Sequence, residues 1–324
     1  MKPRVYIARA LPEEVLHYVE EHCEVRQWQG TQAITREQLA DEIDDAEGLL
    51  VTGTLVGDDV LEAGKQLRVV SNLSVGYDNL DVDALKRYGI TAGHTPYVLD
   101  DTVADLAFAL ILSTARRVAE LDKLVKEGRW RKGMDSALFG ADVHHAKLGI
   151  IGMGRIGEAI ARRAKFGFEM NVAYYNRSRK PEVEEQLGIQ YNSFEELLQT
   201  SDFIVLMTPL TAQTRGLIGE TQFAMMKRSA IFINVSRGGT VDEQALVGAL
   251  ESGQIYAAGL DVYEQEPVNP DHPLLKLDNV VTLPHLGSAT ANTRLQMAYV
   301  AARNLVHALT GEGKVYILPE LQSK

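Results

Sequence analysis

The segment that decides the fold of this chain is KLGIIGMGRIGEAIAR, residues 147–162. It opens with a short apolar run, 148–151, which predicts a buried parallel strand, and it continues into a helical pattern with Ile156 and Ile160 on one face. Between strand and helix stand three glycines with GxGxxG spacing: Gly152, Gly154 and Gly157. Such glycines permit a tight turn, a close approach of a pyrophosphate to the backbone and close packing of helix on strand. A second apolar run, 171–176, follows the helix, so the segment predicts a dinucleotide site rather than a plain strand-to-helix turn.

The composition describes a globular protein with an acidic surface. The 324 residues are 45% hydrophobic and 24% charged, and this length favours two domains. The formal net charge of -11 argues against a nucleic acid or an anionic membrane as partner, and no apolar run is long enough to predict a membrane span. Cys23 is the single cysteine, so no intrachain disulfide can form, which suits a reducing compartment. We therefore expect a cytoplasmic protein.

Strand and helix patterns alternate along the chain in two series. The first occupies residues 1–99, and the second begins at the glycine-rich segment and runs to residue 287. This alternation predicts two α/β domains, each a doubly wound parallel sheet of Rossmann-like or flavodoxin-like type. A final helical pattern, 290–309, lies outside the second series and could return to the first. We therefore expect a discontinuous substrate-binding domain, 1–99 plus 288–324, and a dinucleotide-binding domain, 100–287.

A long helical pattern, 101–127, links the two series. It is apolar on nearly every side from Val103 to Ala115, and helices of that kind are usually buried. We expect a single helix that bridges the domains and forms the interface of a homodimer. An ordinary core helix is the alternative.

Three polar side chains follow predicted strands of the second series, at the edge where open parallel sheets place their sites. Arg237 is a fixed cation whose planar donor fork suits a carboxylate and an adjacent carbonyl. Glu266 beside a histidine would favour the imidazolium and orient the ring, and His285 could then give a proton to a carbonyl oxygen or take one from a hydroxyl. Taken singly, each residue has a structural alternative. Arg237 could cap a helix or join a surface ion pair, Glu266 could lie in a solvated turn, and His285 could be a loop histidine bonded to backbone.

Five segments carry a resemblance to a known family. They are, in chain order, SVGYDN (74–79), GMGRIG (152–157), NVSRGG (234–239), DVYEQEP (261–267) and PHLGS (284–288). They span most of the chain, and with them the chain resembles the D-isomer-specific 2-hydroxyacid dehydrogenases. Within that family it is most similar to the glyoxylate/hydroxypyruvate reductases, including bacterial 2-ketogluconate reductases.

The resemblance implies an activity and roles for the three polar residues. The activity would be NADPH-dependent reduction of a small 2-oxo acid, such as glyoxylate, hydroxypyruvate or 2-ketogluconate, to the D-2-hydroxy acid. Arg237 would bind the substrate carboxylate and polarise its 2-oxo group. His285 would be the proton donor, and Glu266 would support it in that role.

The resemblance also implies substrate contacts from the first domain, and therefore an interdomain active-site cleft. The backbone N–H groups of Val75 and Gly76 would hold the carboxylate, although from the residues alone this segment is a turn after a strand. Leu55 would line the acyl pocket, together with the segment 130–142 if that segment crosses to a partner subunit. An apolar Leu55 suits a small chain and does not exclude a longer sugar acid.

The residues after the second strand of the glycine-rich unit bear on the choice of cofactor. An NAD site usually has an acid there, which binds the adenosine ribose, but this strand ends at Asn176. Asn176 does not repel a 2′-phosphate, and charge and hydroxyl contacts are offered by the next residues, Arg177, Ser178 and Arg179. The sequence therefore predicts a preference for NADP(H), with NAD(H) as the alternative. The structural alternative is a basic loop that is merely solvated.

Further cofactor contacts are expected around the glycine-rich turn. Arg155 and Ile156, on the turn itself, would contact the pyrophosphate. The resemblance implies contacts with the adenosine or the nicotinamide from Pro209, Thr214, Val235 and Asp261. Thr102, at the start of the long helical pattern, is a further candidate.

Two other kinds of function share this scaffold. One is a cofactor-sensing regulator, against which we weigh the lack of appended docking segments. The other is a dehydrogenase of the same family with another substrate, such as phosphoglycerate, phosphite or formate. His144 and His145 are an isolated pair without metal-ligand spacing, so we expect no metal site.

Overall fold

A computed structural model describes residues 1–322, which form two compact units. The first unit joins Met1–Leu99 to the part of the chain that begins at Ala289, and the second is Asp100–Ser288. No helix within residues 1–322 is long and apolar enough to cross a membrane.

The first unit is built on a five-stranded parallel sheet. Its strands are β1 (Arg4–Ile7), β2 (Glu24–Gln27), β3 (Gly48–Val51), β4 (Val69–Asn72) and β5 (Thr91–Gly93). The connecting helices are α1 (Glu13–His22), α2 (Arg36–Glu42), α3 (Asp58–Ala63) and α4 (Val82–Tyr88). The strand order β2-β1-β3-β4-β5 is that of flavodoxin-like sheets, in which the order of the strands reverses beside the first strand.

The second unit is built on a seven-stranded parallel sheet. Its strands are β6 (Lys147–Ile151), β7 (Asn171–Tyr175), β8 (Gln190–Tyr191), β9 (Phe203–Leu206), β10 (Ile231–Asn234), β11 (Ala257–Leu260) and β12 (Val280–Thr282). Its helices are α5 (Asp100–Ala115), α6 (Val118–Lys126), α7 (Arg155–Gly167), α8 (Pro181–Leu187), α9 (Phe194–Thr200), α10 (Glu220–Met225) and α11 (Glu243–Glu251). The order β12-β11-β10-β9-β6-β7-β8 extends the Rossmann order by one strand and reverses between β6 and β9. The predicted fold class, two doubly wound parallel-sheet α/β domains, is confirmed.

The last long helix, α12 (Ala291–Thr310), belongs to the first unit. It packs closely on the sheet, because a Cβ added to Gly48 in β3 would lie 2.7 Å from Leu305 and 2.8 Å from Leu309. Ser71 in β4 is fully buried, and its hydroxyl donates to the Ala301 carbonyl oxygen at 2.7 Å. The helix is therefore part of the core of the first unit.

The chain between the two series differs from our prediction of one helix over 101–127. The structure has two helices, α5 and α6, because Arg117 adopts a left-handed conformation with a φ of 55°. The Arg117 guanidinium binds Glu120 at 2.6 Å and donates to the Ala137 carbonyl oxygen at 2.7 Å. The break between α5 and α6 is therefore stabilised by a segment 20 residues further along the chain. A contact of this kind leaves no local sequence pattern.

Candidate active site

The three glycines that follow β6 differ in what an added Cβ atom would meet. Gly152 has a φ of +105°, and a Cβ there would lie 2.6 Å from the Met207 carbonyl oxygen just beyond β9. A Cβ on Gly157 would lie 2.5 Å from the Gly152 carbonyl oxygen. A Cβ on Gly154 would meet no atom within 4 Å. Packing inside the protein accounts for the first two glycines, whereas Gly154 faces space that the chain leaves open.

The helix that begins at this turn, α7, presents an uncapped N-terminus. Gly154 is its N-cap residue and provides no side-chain hydrogen bond. The first N–H groups of a helix have no acceptor within the helix and carry partial positive charge. An open N-terminus beside the reversal point between β6 and β9 fits the pyrophosphate of a dinucleotide. Arg155 lies in the first turn of α7, and its Nε donates to Asp100 at the start of α5 at 3.1 Å.

The polar loop after β7 is braced by ion pairs. The Arg179 guanidinium binds the Glu184 carboxylate in a bidentate manner at 2.8 and 2.6 Å, and Lys180 binds Glu158 at 2.6 Å. The Asn176 side chain donates to the Ser178 carbonyl oxygen at 3.2 Å, which closes the turn. Arg177 is exposed and makes no hydrogen bond or ion pair with any residue in 1–322. The cation of this loop that is open to a ligand is therefore Arg177, ahead of the partnered Arg179.

The other expected cofactor residues lie at the carboxyl ends of neighbouring strands or on α5. Thr214 donates its hydroxyl to the Pro209 carbonyl oxygen at 2.6 Å and so closes the loop after β9. Val235 is buried at the end of β10, and Thr102 is half-buried in α5. Ile156 is half-buried in the first turn of α7.

Arg237 is held by the loop that follows β10. The Asn234 side-chain amide accepts from the Ser236 N–H at 3.0 Å and donates to the Arg237 carbonyl oxygen at 3.2 Å. A Cβ on Gly238 would overlap the carbonyl carbon of Tyr263, so only glycine allows the two loops to approach this closely. The half-buried Arg237 guanidinium donates to the Ser236 carbonyl oxygen at 2.8 Å. The loop therefore fixes the backbone from which this cation extends.

His285 follows β12 in a strained conformation that Asp261 stabilises. The φ of His285 is 54°, which is uncommon for a residue with a side chain. Its N–H donates to the Asp261 carbonyl oxygen at 2.8 Å, and the Asp261 carboxylate accepts the N–H groups of Leu286 at 2.7 Å and Gly287 at 2.8 Å. Asp261 is 1% exposed, and burial raises its pKa despite these opposing hydrogen bonds. Asp261, which we expect to contact the cofactor, binds the loop of His285 through both its carboxylate oxygens.

Glu266 and His285 form a direct pair. Glu266 Oε2 lies 2.6 Å from Nδ1 of His285, and its Oε1 accepts the Tyr263 N–H at 3.0 Å. Burial on its own would raise the pKa of Glu266, but the hydrogen bonds from His285 and Tyr263 and the nearby charges of His285 and Arg237 outweigh it and lower that pKa. The ionised carboxylate can only accept, so Nδ1 of His285 carries a proton. Nε2 makes no hydrogen bond with any residue in 1–322 and can exchange a proton with a ligand.

The first unit offers an anion-binding candidate of its own at the carboxyl end of β4. Within residues 1–322, no group accepts the backbone N–H of Val75 or of Gly76. Neighbouring N–H groups without acceptors form a site for a carboxylate. Leu55, in the loop after β3, is 56% exposed.

The described part of the chain holds no cluster of His, Cys, Asp and Glu that could bind a metal ion. From their own geometry, His285 can exchange a proton at Nε2 and Arg237 can bind an anion.

Comparisons with known proteins agree with this geometry. Residues 108–287 match the family model described as D-isomer specific 2-hydroxyacid dehydrogenase, NAD binding domain. Glyoxylate/hydroxypyruvate reductase B of Citrobacter koseri is 52% identical over 312 residues, which cover 96% of each chain. The Salmonella typhi protein of the same name is 50% identical over 312 residues, again 96% of each chain. A solved NADPH-dependent glyoxylate/hydroxypyruvate reductase from Sinorhizobium meliloti, in complex with NADP and malonate, is 32% identical with a TM-score of 0.87, covering 99% of this chain and 98% of that one. This chain therefore belongs to the family of D-isomer-specific 2-hydroxyacid dehydrogenases.

Proposed function

We propose that this chain reduces small 2-oxo acids, with glyoxylate and hydroxypyruvate as the first candidates, to the D-2-hydroxy acids with NADPH. The observation that carries the proposal is the pair between His285 Nδ1 and Glu266 at 2.6 Å, which leaves Nε2 open at the sheet edge that also bears the glycine turn. The names of the relatives from Citrobacter and Salmonella support this substrate class, and the Sinorhizobium complex supports the cofactor.

Each polar residue has a defined task in this proposal. The reduced nicotinamide supplies the hydride when it is bound. His285, as imidazolium, releases the Nε2 proton to the carbonyl oxygen as that oxygen becomes a hydroxyl, and it remains neutral with its proton on Nδ1. Glu266 stabilises the imidazolium and fixes the ring, which is an arrangement for general acid catalysis worth about 10²–10⁴ in rate. Arg237 binds the carboxylate and withdraws charge from the 2-oxo group.

Each unit has its own binding task in this proposal. The second unit binds the dinucleotide at the turn Gly152, Gly154 and Gly157, with its pyrophosphate at the N-terminus of α7. The first unit binds the substrate carboxylate through the N–H groups of Val75 and Gly76. Leu55 gives the acyl group an apolar surface that favours a short chain.

The preference for NADPH rests on the loop after β7. No acid stands at its start to repel a 2′-phosphate, since Asn176 occupies that place. Arg177 is the cation that is open to the phosphate, and Ser178 beside it is exposed. Arg179 contributes charge from within its pair with Glu184.

We also propose a homodimer. Large apolar side chains are concentrated on the surface of one stretch of the second unit: Val118 and Val125 in α6 are 53% and 54% exposed, Trp130 64% and Phe139 67%. Exposed apolar side chains concentrated in one stretch of the chain favour burial against a second copy. Sedimentation velocity tests this, and a monomer at micromolar concentration would refute it. The single cysteine, Cys23, supports a cytoplasmic location.

The deciding experiment is kcat/KM with NADPH and with NADH on glyoxylate, hydroxypyruvate and 2-ketogluconate. We expect turnover of at least the two smaller acids and a preference for NADPH. Tight NADPH binding without turnover of any of them would refute the reductase and point to a sensor or to another substrate.

The matched test of cofactor choice is Arg177→Ala. Loss of one charged hydrogen bond to a phosphate should lower the ratio of NADPH to NADH efficiency about tenfold or more. The control is Arg129→Ala, which removes an exposed arginine paired with Glu127 elsewhere in the second unit. An unchanged ratio in Arg177→Ala would refute the assignment of the 2′-phosphate contact.

A further inference from the structure

The loop of residues 74–79, which we call the carboxylate loop, owes its conformation to groups outside it. Three of its successive carbonyl oxygens accept hydrogen bonds. The Ser74 oxygen accepts the Thr95 N–H at 3.0 Å, the Val75 oxygen accepts Nδ1 of His94 at 2.9 Å, and the Gly76 oxygen accepts the Asn72 side-chain amide at 2.8 Å. Two of these donors follow β5, the strand next to β4 in the sheet.

These bonds decide where the open N–H groups point, because each peptide is planar and trans. In such a peptide the C=O of one residue and the N–H of the next point in opposite directions. The bond from Thr95 to the Ser74 oxygen therefore fixes the Val75 N–H. In the same way, the bond from His94 to the Val75 oxygen fixes the Gly76 N–H. Each anchored carbonyl oxygen therefore directs the N–H of the next residue away from the group that binds that oxygen.

We propose that His94 is a positioning residue for the substrate carboxylate, acting through the peptide between Val75 and Gly76. The inference rests on the proposed function, which assigns the carboxylate to these N–H groups. His94 is the single side chain in residues 1–322 that holds this peptide, and a carbonyl partner requires the proton to be on Nδ1.

His94 is itself fixed on several sides. Its carbonyl oxygen accepts the Asn304 side-chain amide at 2.7 Å, and its N–H donates to the Tyr316 carbonyl oxygen at 3.0 Å. Asn304 is 1% exposed and also accepts the Tyr316 N–H at 2.9 Å. The His94 ring meets the Tyr77 ring edge-on, with centroids 5.6 Å apart. A side chain held this firmly can keep a peptide orientation that a flexible loop would lose.

The ring contact and the hydrogen bond can be separated by two substitutions. His94→Phe keeps an aromatic ring against Tyr77 and removes the donor. His94→Asn removes the ring, but its amide nitrogen takes the place of Nδ1 and keeps a donor. Ser71→Ala is the matched control, because it removes one buried side-chain bond to a carbonyl oxygen in the same unit, at 2.7 Å, without touching the loop.

The experiment measures kcat and KM for glyoxylate, the NADPH dissociation constant and the thermal stability of the wild type and the three variants. A misdirected N–H loses one charge-assisted bond to the carboxylate, so KM should rise about tenfold in His94→Phe. Because this contact is the same in the ground and transition states, kcat should stay within about twofold, and NADPH binding should not change. His94→Asn should have nearly the wild-type KM, and Ser71→Ala should lose stability with KM unchanged.

A wild-type KM in His94→Phe, or a KM in His94→Asn as high as in His94→Phe, would overturn the proposal. Where His94→Phe fails to fold, His94→Gln, which moves the donor one bond further from the backbone, gives the same comparison. Calorimetric titration with oxalate, an unreactive dicarboxylate, separates this proposal from the proposed function. A wild type that binds oxalate without any turnover would refute the reductase, whereas oxalate affinity that is equal in wild type and His94→Phe would refute the role of His94.

Discussion

Replacing Glu266 by Gln should lower the rate of reduction without abolishing it. The reaction uses the His285 imidazolium, and the ionised Glu266 carboxylate stabilises that positive ring. Two unit charges separated by the observed 2.6 Å attract by about 1.6 kcal/mol in water, and by more at lower dielectric constant. The two side chains are 44% and 35% exposed, so the aqueous figure is the better guide. Since about 1.4 kcal/mol corresponds to a tenfold change in rate, kcat/KM should fall about tenfold.

The assay is the initial rate of NADPH oxidation with glyoxylate, measured as kcat/KM at neutral pH. The control is Glu264→Gln, which neutralises an exposed glutamate of the same loop, whereas the carboxylate bonded to His285 is that of Glu266. Equal kcat/KM values for Glu266→Gln and the wild type would refute the electrostatic role of Glu266. Since the pKa of Glu266 is lowered, we expect no loss of rate from protonation of Glu266 until the pH falls below the usual range of a glutamate.

Further predictions concern the glycine turn, Arg237 and the buried Asp261. Gly154→Ala should weaken NADPH binding in a fluorescence titration while costing less than about 1 kcal/mol of unfolding free energy, since nothing in the protein opposes the added methyl group. Gly152→Ala should cost about 2 kcal/mol or more, because its φ of +105° and a backbone oxygen at 2.6 Å both oppose a side chain, and equal melting temperatures of the two variants would contradict this. Arg237→Lys should lower kcat/KM about 10²–10³-fold with NADPH affinity unchanged, and a loss confined to NADPH affinity would argue against its contact with substrate. Asp261→Asn should lower both kcat and the free energy of unfolding in urea, the latter by about 1–3 kcal/mol at neutral pH. Because burial raises the pKa of Asp261, protonation of the wild-type carboxyl stabilises the fold at acid pH and this contribution is lost as pH rises through that pKa, so the wild-type curve should bend there and the variant curve should not.

The ends of helices can be predicted from the sequence where a backbone signal and a side-chain signal coincide. Thr35 and Gln38 have the spacing of a capping box, and in the structure the Thr35 hydroxyl accepts the Gln38 N–H while the Gln38 side chain accepts the Thr35 N–H. Helix α8 was not predicted, because its polar sequence has little apolar periodicity. Its ends carried signals that could have revealed it, with Pro181 in the first turn and Gly188 in a left-handed C-cap.

The residues of the site were harder to predict where their contacts are long-range. The glycine spacing identified the turn at Gly152. Because α8 was not predicted, Glu184 in that helix was not foreseen as the partner of Arg179. Asp261 was assigned by its motif, and its bonds to the loop of His285, 24 residues later, have no signature in sequence. His94 was not singled out at all, because a side chain that orients a peptide of another loop leaves no periodic trace.

The return of α12 to the first unit has a consequence for the order in which the protein folds. The second unit is one unbroken stretch, so all its strands are available as soon as residue 288 has been synthesised. The first unit begins the chain, but one face of its sheet stays uncovered until α12 emerges, since Leu305 and Leu309 cover Gly48 of β3. Until then, β3 and β4 expose apolar surface on that face. The part of the chain made first therefore completes its structure last, and during that interval its apolar face is open to aggregation.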